Sequence, residues 1–327
     1  MGRFRHIVAL GAGRMGRGIA HVFAYAGYGV TLLDVKDRDA AAFTALQADA
    51  IAEIESNLHF LVSQGIINAG QVKKILALIS VQDRAQAQPV LAAADIVLEA
   101  VPETKAAKQA ALQLLGEHCR PDTVVTSTTS TMAVTELQSY ISHPERFINT
   151  HFLNPAYLIP LVEISANEIS DARLVDDVVD LFQQIGKVPV RCSDKPGYIV
   201  PRLQALIMSE ACRMVEQGVA TAEDIDKAIL YGFGPRYATM GVMEFIDWGG
   251  VDILYYAGHY MAEALNSPAH APPESVSKMM QAGHKGMREG QGYYDFSNID
   301  VAAWQQQKLS RFVTLLKQLD QIPRAGV

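Results

Sequence analysis

An open α/β sheet domain followed by an all-α domain is the fold class predicted for this chain of 327 residues. Three observations predict it. A strand, a glycine loop, a helix and a second strand open the chain. Short apolar runs suited to buried strands then alternate with helical patterns as far as about residue 193. After Asp194-Lys195-Pro196-Gly197 the strand signals stop and amphipathic helices take over. The expected domains are therefore 1–193 and 194–327.

The first strand is the apolar run Ile7-Val8-Ala9-Leu10. Gly11-Ala12-Gly13-Arg14-Met15-Gly16 follows at once, then a helical pattern through Ile19, Ala20, Val22, Phe23 and Ala26. Gly29-Val30-Thr31-Leu32-Leu33-Asp34 is a second strand ending in an acid. A G-x-G-x-x-G match alone is weak. With a strand before it, a helix after it and Asp34 closing the next strand, it marks a Rossmann-type dinucleotide-binding unit. Gly11 and Gly13 let the backbone turn and approach a pyrophosphate, and Gly16 lets the helix pack on the strand. The helix N-terminus offers unpaired N–H groups to the phosphates. Asp34 would accept hydrogen bonds from the adenosine ribose and repel a 2′-phosphate, which predicts NAD rather than NADP. Lys36 and Arg38 stand close by and work against that preference.

Residues 37–78 are alanine-rich and helical, broken at Gly65 and Asn68-Ala69-Gly70 into a hairpin of two helices. Asp95 to Ala100 is a buried-strand run that ends at Val101-Pro102-Glu103, and a helix from Lys105 to about His118 follows. Thr123 to Ser127 is the next strand and opens into Thr128-Thr129-Ser130-Thr131. Phe147 to His151 is another, stopped by the turn signal Asn154-Pro155. Gly11, Asp34, Glu103, Ser130 and His151 all fall at strand carboxyl ends, where ligands gather in an open α/β sheet. Leu161-Val162-Glu163-Ile164 is an apolar run with a carboxylate inside it. Lying beside the strand of His151, it would bring Glu163 to the imidazole. A carboxylate on one ring nitrogen fixes the tautomer and orients the other, the layout of a general base with its partner acid.

A helix over about 171–185 and the strand 188–192 complete the first domain. Helices are expected over 198–217, 221–232, 251–265 and 300–320, with a glycine-aromatic turn at Gly290-Gln291-Gly292-Tyr293-Tyr294-Asp295-Phe296. Helix 198–217 carries Ile199, Leu203, Leu206, Ile207, Cys212 and Met214 around much of its circumference. A helix apolar on several faces is buried on several sides. A two-fold homodimer through this domain is the simplest closure.

Composition narrows the function classes. Hydrophobic residues make up 49% and charged residues 19%, a globular balance. The formal net charge is −7, without a dense Lys/Arg cluster, which argues against a nucleic-acid partner. No apolar run reaches the ~18 residues of a membrane span, and no secretory signal is read at the start. Cys119, Cys192 and Cys212 are far apart and form no metal or redox pair, as in a reduced cytoplasmic protein. No metal site is predicted.

The chain resembles the 3-hydroxyacyl-CoA dehydrogenase family, including the bacterial 3-hydroxybutyryl-CoA dehydrogenases. The likeness rests on the glycine loop, on Glu99-Ala100-Val101-Pro102-Glu103 and on the Ser/Thr run at 127–131. It rests further on His151-Phe152-Leu153-Asn154-Pro155 with Glu163 after it, and on Lys195-Pro196-Gly197-Tyr198-Ile199-Val200. The resemblance implies an NAD-binding domain followed by a helical dimerisation domain. It implies oxidation of a hydroxyacyl substrate at its 3-hydroxyl, with His151 as base, Glu163 as its partner and Ser130 as a hydrogen-bond donor to the substrate oxygen. Glu103 and Lys108 match positions that touch the cofactor.

Two departures bear on the substrate. Where the family carries a substrate-holding asparagine, this chain has Pro201, which leaves Asn154 as the neighbour to supply a polar contact. The stretch Asn57 to Gln64 lacks the lysines that meet CoA phosphates in the CoA enzymes. Gly234-Pro235-Arg236-Tyr237-Ala238 is instead similar to dehydrogenases of free hydroxy acids such as gulonate and carnitine, and Arg236 suits a substrate carboxylate. Three readings stay open: a short-chain 3-hydroxyacyl-CoA dehydrogenase, a dehydrogenase of a small free 3-hydroxy acid, and a catalytically silent NAD-binding protein.

Overall fold

The computed structural model describes residues 3–322. They form two compact units that divide between Ile207 and Met208. The first unit holds one sheet of eight strands: β1 (Ile7–Leu10), β2 (Val30–Leu33), β3 (Ile79–Gln82), β4 (Ile96–Glu99), β5 (Val124–Ser127), β6 (Phe147–Phe152), β7 (Leu161–Ala166) and β8 (Val188–Ser193). Their spatial order is β3-β2-β1-β4-β5-β6-β7-β8. Strands β1 to β6 run parallel, β7 lies antiparallel to β6, and β8 is parallel to β7.

Both faces of the sheet are covered, which is why its central strands read as unbroken apolar runs. Helices α1 (Arg14–Tyr25), α2 (Ala40–Ser63) and α3 (Ala69–Leu76) contribute to one core, with Ile7, Ala9, Val30, Leu32, Ile96 and Leu98. Helices α4 (Ala87–Ala93), α5 (Lys105–His118) and α6 (Val134–Gln138) contribute to the other, with Val8, Leu10, Leu33 and Val97. Helix α7 (Ala172–Gln184) joins the first core through Leu174, Val178, Leu181 and Phe182. Consecutive strand residues thus enter opposite cores, the two-residue alternation of a pleated strand. Each fully buried Ile, Leu or Phe contributes roughly 1.5–3 kcal/mol.

The turn at Asp194 to Gly197 is not a free linker. Asp194 accepts hydrogen bonds from Val134 N at 2.6 Å and Thr135 N at 2.9 Å, and so holds the start of α6. Helix α8 (Val200–Glu216) begins inside the first unit and crosses into the second. The break between compact units therefore falls later than the composition shift at residue 194.

The second unit is helical among its described residues, with α9 (Ala222–Ala228), α10 (Gly234–Tyr237), α11 (Val242–Gly249), α12 (Val251–Ala264), α13 (Glu274–Ala282) and α14 (Val301–Gln318). The helix expected over 221–232 is shorter than its pattern suggests. It gives way at Ile229–Phe233 to a π-helical turn that leads into α10. The glycine-aromatic turn is organised by buried Asp247 of α11, which accepts from Tyr293 N at 2.9 Å and Tyr294 N at 2.8 Å. No helix among the described residues is long and apolar enough to cross a membrane.

Candidate active site

Strand order reverses about β1, with β2 on one side and β4 on the other. An open α/β sheet leaves a crevice beyond its strand carboxyl ends at such a point. A cavity of about 1060 Å³ lies in the first unit, lined by Gly11, Gly13, Asp34, Glu103, Ser130, His151 and Asn154 among others. Seven of the expected site residues are thus brought to one hollow, although the chain separates them widely.

The glycine loop has distinct demands at each position. Gly11 holds φ at 106°, and a Cβ there would stand 2.9 Å from the Ala100 carbonyl oxygen. At Gly16 a Cβ would lie 1.8 Å from the Gly11 oxygen, so this residue serves close packing and does not line the cavity. Gly13 is the N-cap of α1, carries no side-chain cap, and would place a Cβ in clear space. The first N–H groups of α1 therefore face an open hollow. Asp34 follows β2 and is buried, with Oδ2 accepting from Arg38 Nε at 2.6 Å. Free helix amides, clearance at Gly13 and an acid after β2 together fit a dinucleotide.

The antiparallel ladder of β6 and β7 sets His151 directly opposite Glu163. Directly paired residues project from the same face, and His151 Nδ1 meets Glu163 Oε2 at 2.7 Å. The other carboxylate oxygen, Oε1, accepts from Ile199 N and Val200 N, each at 2.8 Å, at the start of α8. Burial favours the protonated acid. Hydrogen bonds from His151, Val200 and Ile199 outweigh it, and Glu163 is held below the usual carboxylate range. An ionised Glu163 makes Nδ1 the protonated nitrogen and leaves Nε2 as the free one.

Tyr198 completes this corner; the sequence places it in the motif at 195–200 but gives it no role in the site. Its ring centroid lies 5.5 Å from that of His151, and its hydroxyl donates to Met132 O at 3.2 Å. Its φ of 44° is left-handed, uncommon for a residue other than glycine. That turn delivers the next two N–H groups to Glu163. The Pro-Gly sequence before Tyr198 signals a turn, but not which distant ring it covers. Burial, and then the charge of Glu103, push the Tyr198 phenol well above its ordinary range.

Ser130 is held by its backbone. Glu103 Oε1 accepts from Ser130 N at 2.8 Å and Thr129 Oγ1 at 2.6 Å. Ser130 lines the cavity, and its hydroxyl has no protein partner among the described residues. Burial would raise Glu103, but hydrogen bonds from Thr129, the Lys108 charge and the 130–131 amides bring it below the usual range. Lys108 itself is 1% exposed and does not line the cavity. Its ammonium lies 3.0 Å from each oxygen of Glu99 and 3.5 Å from Glu103. Glu99 is fully buried and also accepts from Ser127 Oγ at 2.6 Å and Val101 N at 2.7 Å. Lys108 thus bears on the cavity through Glu103.

Asn154 lines the cavity at the start of the 153–160 loop. Lys187, buried beneath that loop, donates to Ile159 O at 2.8 Å and to Ala156 O, and burial draws its ammonium down to about 8. Tyr157 stacks on His21 of α1 at 4.7 Å. Arg236 is not in this cavity. It lies in the second unit, with its guanidinium 4.5 Å from the Phe245 ring centre, and lines a smaller hollow of about 190 Å³.

Comparison with known proteins agrees with this arrangement. The profile of the 3-hydroxyacyl-CoA dehydrogenase NAD binding domain matches residues 6–195, and that of the 3-hydroxyacyl-CoA dehydrogenase C-terminal domain matches residues 197–296. The mitochondrial hydroxyacyl-coenzyme A dehydrogenase of Homo sapiens is 31% identical over 299 residues, which cover 89% of this chain and 91% of the relative. The 5-formyl-3-hydroxy-2-methylpyridine 4-carboxylate 5-dehydrogenase of Mesorhizobium japonicum is 29% identical and covers 97% of this chain and 98% of the relative. A crystal structure of 3-hydroxyacyl-CoA dehydrogenase from Archaeoglobus fulgidus superposes with a TM-score of 0.75 at 27% identity, covering 97% of this chain and 99% of that one. With both domain profiles matched in sequence over a sheet whose crevice suits a dinucleotide, the chain belongs to the 3-hydroxyacyl-CoA dehydrogenase family of NAD-dependent oxidoreductases acting on CH–OH groups.

Proposed function

We propose that the chain oxidises the 3-hydroxyl of a short-chain 3-hydroxyacyl-CoA, and reduces the 3-oxo form in reverse. The observation that carries this is the His151–Glu163 pair at 2.7 Å, in a cavity that both His151 and Ser130 line. His151 takes the hydroxyl proton at Nε2. Glu163 stabilises the imidazolium so formed, and its own charge is secured by the Ile199 and Val200 amides. The Ser130 hydroxyl donates to the substrate oxygen as negative charge gathers there. Bound NAD supplies the hydride acceptor. Gly11, Gly13 and the α1 amides would hold its pyrophosphate and Asp34 its adenosine ribose, while Glu103 borders the same cavity with Lys108 behind it. Asn154 supplies a polar contact to the substrate. A histidine already paired and oriented argues against a silent NAD-binding protein.

A dehydrogenase of a free hydroxy acid is the second reading. A relative named for a pyridine carboxylate favours it, and under that reading Arg236, which lines a hollow of the second unit, would be the residue to pair the carboxylate. We place the enzyme in the cytoplasm as a homodimer that pairs through the apolar faces of its helical unit. The deciding assay follows NADH during reduction of acetoacetyl-CoA and of free acetoacetate. Turnover of the thioester alone supports the first reading, and turnover of the free acid alone replaces it with the second. NADH binding with no hydride transfer to either class would overturn both.

A further inference from the structure

The adenosine end of the cavity carries more positive charge than an NAD site requires. Asp34 lines it with Lys36, Arg38 and Arg84. Arg84 is turned to exposed Asp37, with Nη1 3.3 Å from a carboxylate oxygen. Arg38 gives only its Nε to Asp34, and its two outer nitrogens have no protein partner among the described residues. Lys36 forms no ion pair among those residues either, although its backbone N–H points to Asp34 Oδ1 at 3.5 Å. The acid that should repel a 2′-phosphate is thus partly neutralised by a guanidinium whose free fork suits that same phosphate.

We propose that Arg38, with Lys36, forms a latent 2′-phosphate site held in check by Asp34, so that Arg38 narrows the preference for NAD over NADP instead of sharpening it. The inference rests on the reading of Asp34 as the ribose acceptor. The carboxylate keeps lone pairs for the ribose hydroxyls while Arg38 occupies one oxygen. A phosphate in place of the 2′-hydroxyl would meet that carboxylate, but also two donors and an ammonium. Discrimination is then a difference between two opposed contacts made by neighbouring side chains.

The test is binding by the full chain, without substrate, read from nicotinamide fluorescence on titration with NADH and NADPH. The unmodified protein should bind NADH more tightly, yet bind NADPH measurably, with a gap that widens as salt screens the exposed cations. Arg38→Ala should widen the NADPH-to-NADH ratio of Kd values about tenfold, the scale of one lost charge-assisted hydrogen bond. Asp34→Asn should shrink the ratio, and Arg38→Ala added to it should restore the gap. If Arg38 only props Asp34, Arg38→Ala weakens both cofactors alike, the ratio stays fixed and the proposal falls while Asp34 keeps its role. If Asp34→Asn leaves the ratio unmoved, the ribose reading falls and takes the proposal with it. Arg38→Gln, which keeps the side-chain bulk, reads the same ratio should the alanine variant fold poorly.

Discussion

The two units bury opposite things. The first encloses its apolar residues on both faces of the sheet and takes Glu99, Lys108, His151 and Glu163 inside with them. Every one of those charged or polar groups is paired there, as buried polar groups must be. The second unit buries little and shows solvent a broad apolar surface: Leu230 is 62% exposed, Tyr256 65% and Tyr260 73%. Helix α8, which runs from the first unit into the second, has no buried residue. Exposed apolar residues occur in the first unit too, but there they lie outside a well-filled core, whereas in the helical unit they outnumber the buried ones. The proposed chemistry and the proposed assembly thus belong to different parts of one chain.

The largest effect expected within that division is on turnover. His151→Ala should lower it by roughly 10²–10⁴ with NADH affinity almost unchanged. Collapse of NADH binding, with turnover of the bound enzyme intact, would make His151 a structural residue. Next comes Lys108→Met, which leaves Glu99 buried without its cation and should destabilise the first unit by about 3–5 kcal/mol in urea unfolding. A loss under ~1 kcal/mol would mean that Ser127 and the Val101 amide suffice for Glu99.

The third expectation concerns the helical unit. Tyr256→Glu and Tyr260→Glu should lower the mass seen by light scattering from that of a dimer toward 35.6 kDa for one chain. If the unmodified protein already scatters as one chain at micromolar concentration, the proposed dimer is wrong and the comparison loses its second half. The smallest effect is on acid stability. The folded-state value of Glu163 is depressed, so its contribution is complete above the unfolded value of about 4.3 and is lost as pH falls through the folded one. Urea midpoints of the unmodified protein and Glu163→Gln should therefore converge on acidification below that range. A constant difference down to pH 3 would show that the carboxylate does not stabilise the fold by its charge.

Much of the first unit was legible because its signals are local. The glycine loop between two strands fixes β1, α1 and β2, and β6 is read almost to the residue from β-branched and aromatic content. The pairing of His151 with Glu163 follows from two adjacent apolar runs. Strand β3 was missed: it lies at the sheet edge, and of its four residues only Val81 is buried, too little alternation to register. The contact of Tyr198 with His151 was missed because no spacing rule connects the two. The burial of Lys108 was hidden for the same reason, since its partner Glu99 is on another element. In the second unit the π-helical turn at Ile229–Phe233 depends on Gly232 and Gly234-Pro235, which mark a break without specifying its form.

The register of β6 against β7 has a further consequence for descent. His151 and Glu163 are twelve positions apart, yet nothing in their contact depends on twelve. It depends on parity. A slip of one residue would set Val162 or Ile164 across from the imidazole and turn the carboxylate to the other side of the sheet. Residues 153–160 can therefore gain or lose length among descendants while the ladder cannot shift by a single step. A pattern search that fixes the gap between the two residues would discard functional cousins with longer loops. One that fixes their rung would keep them.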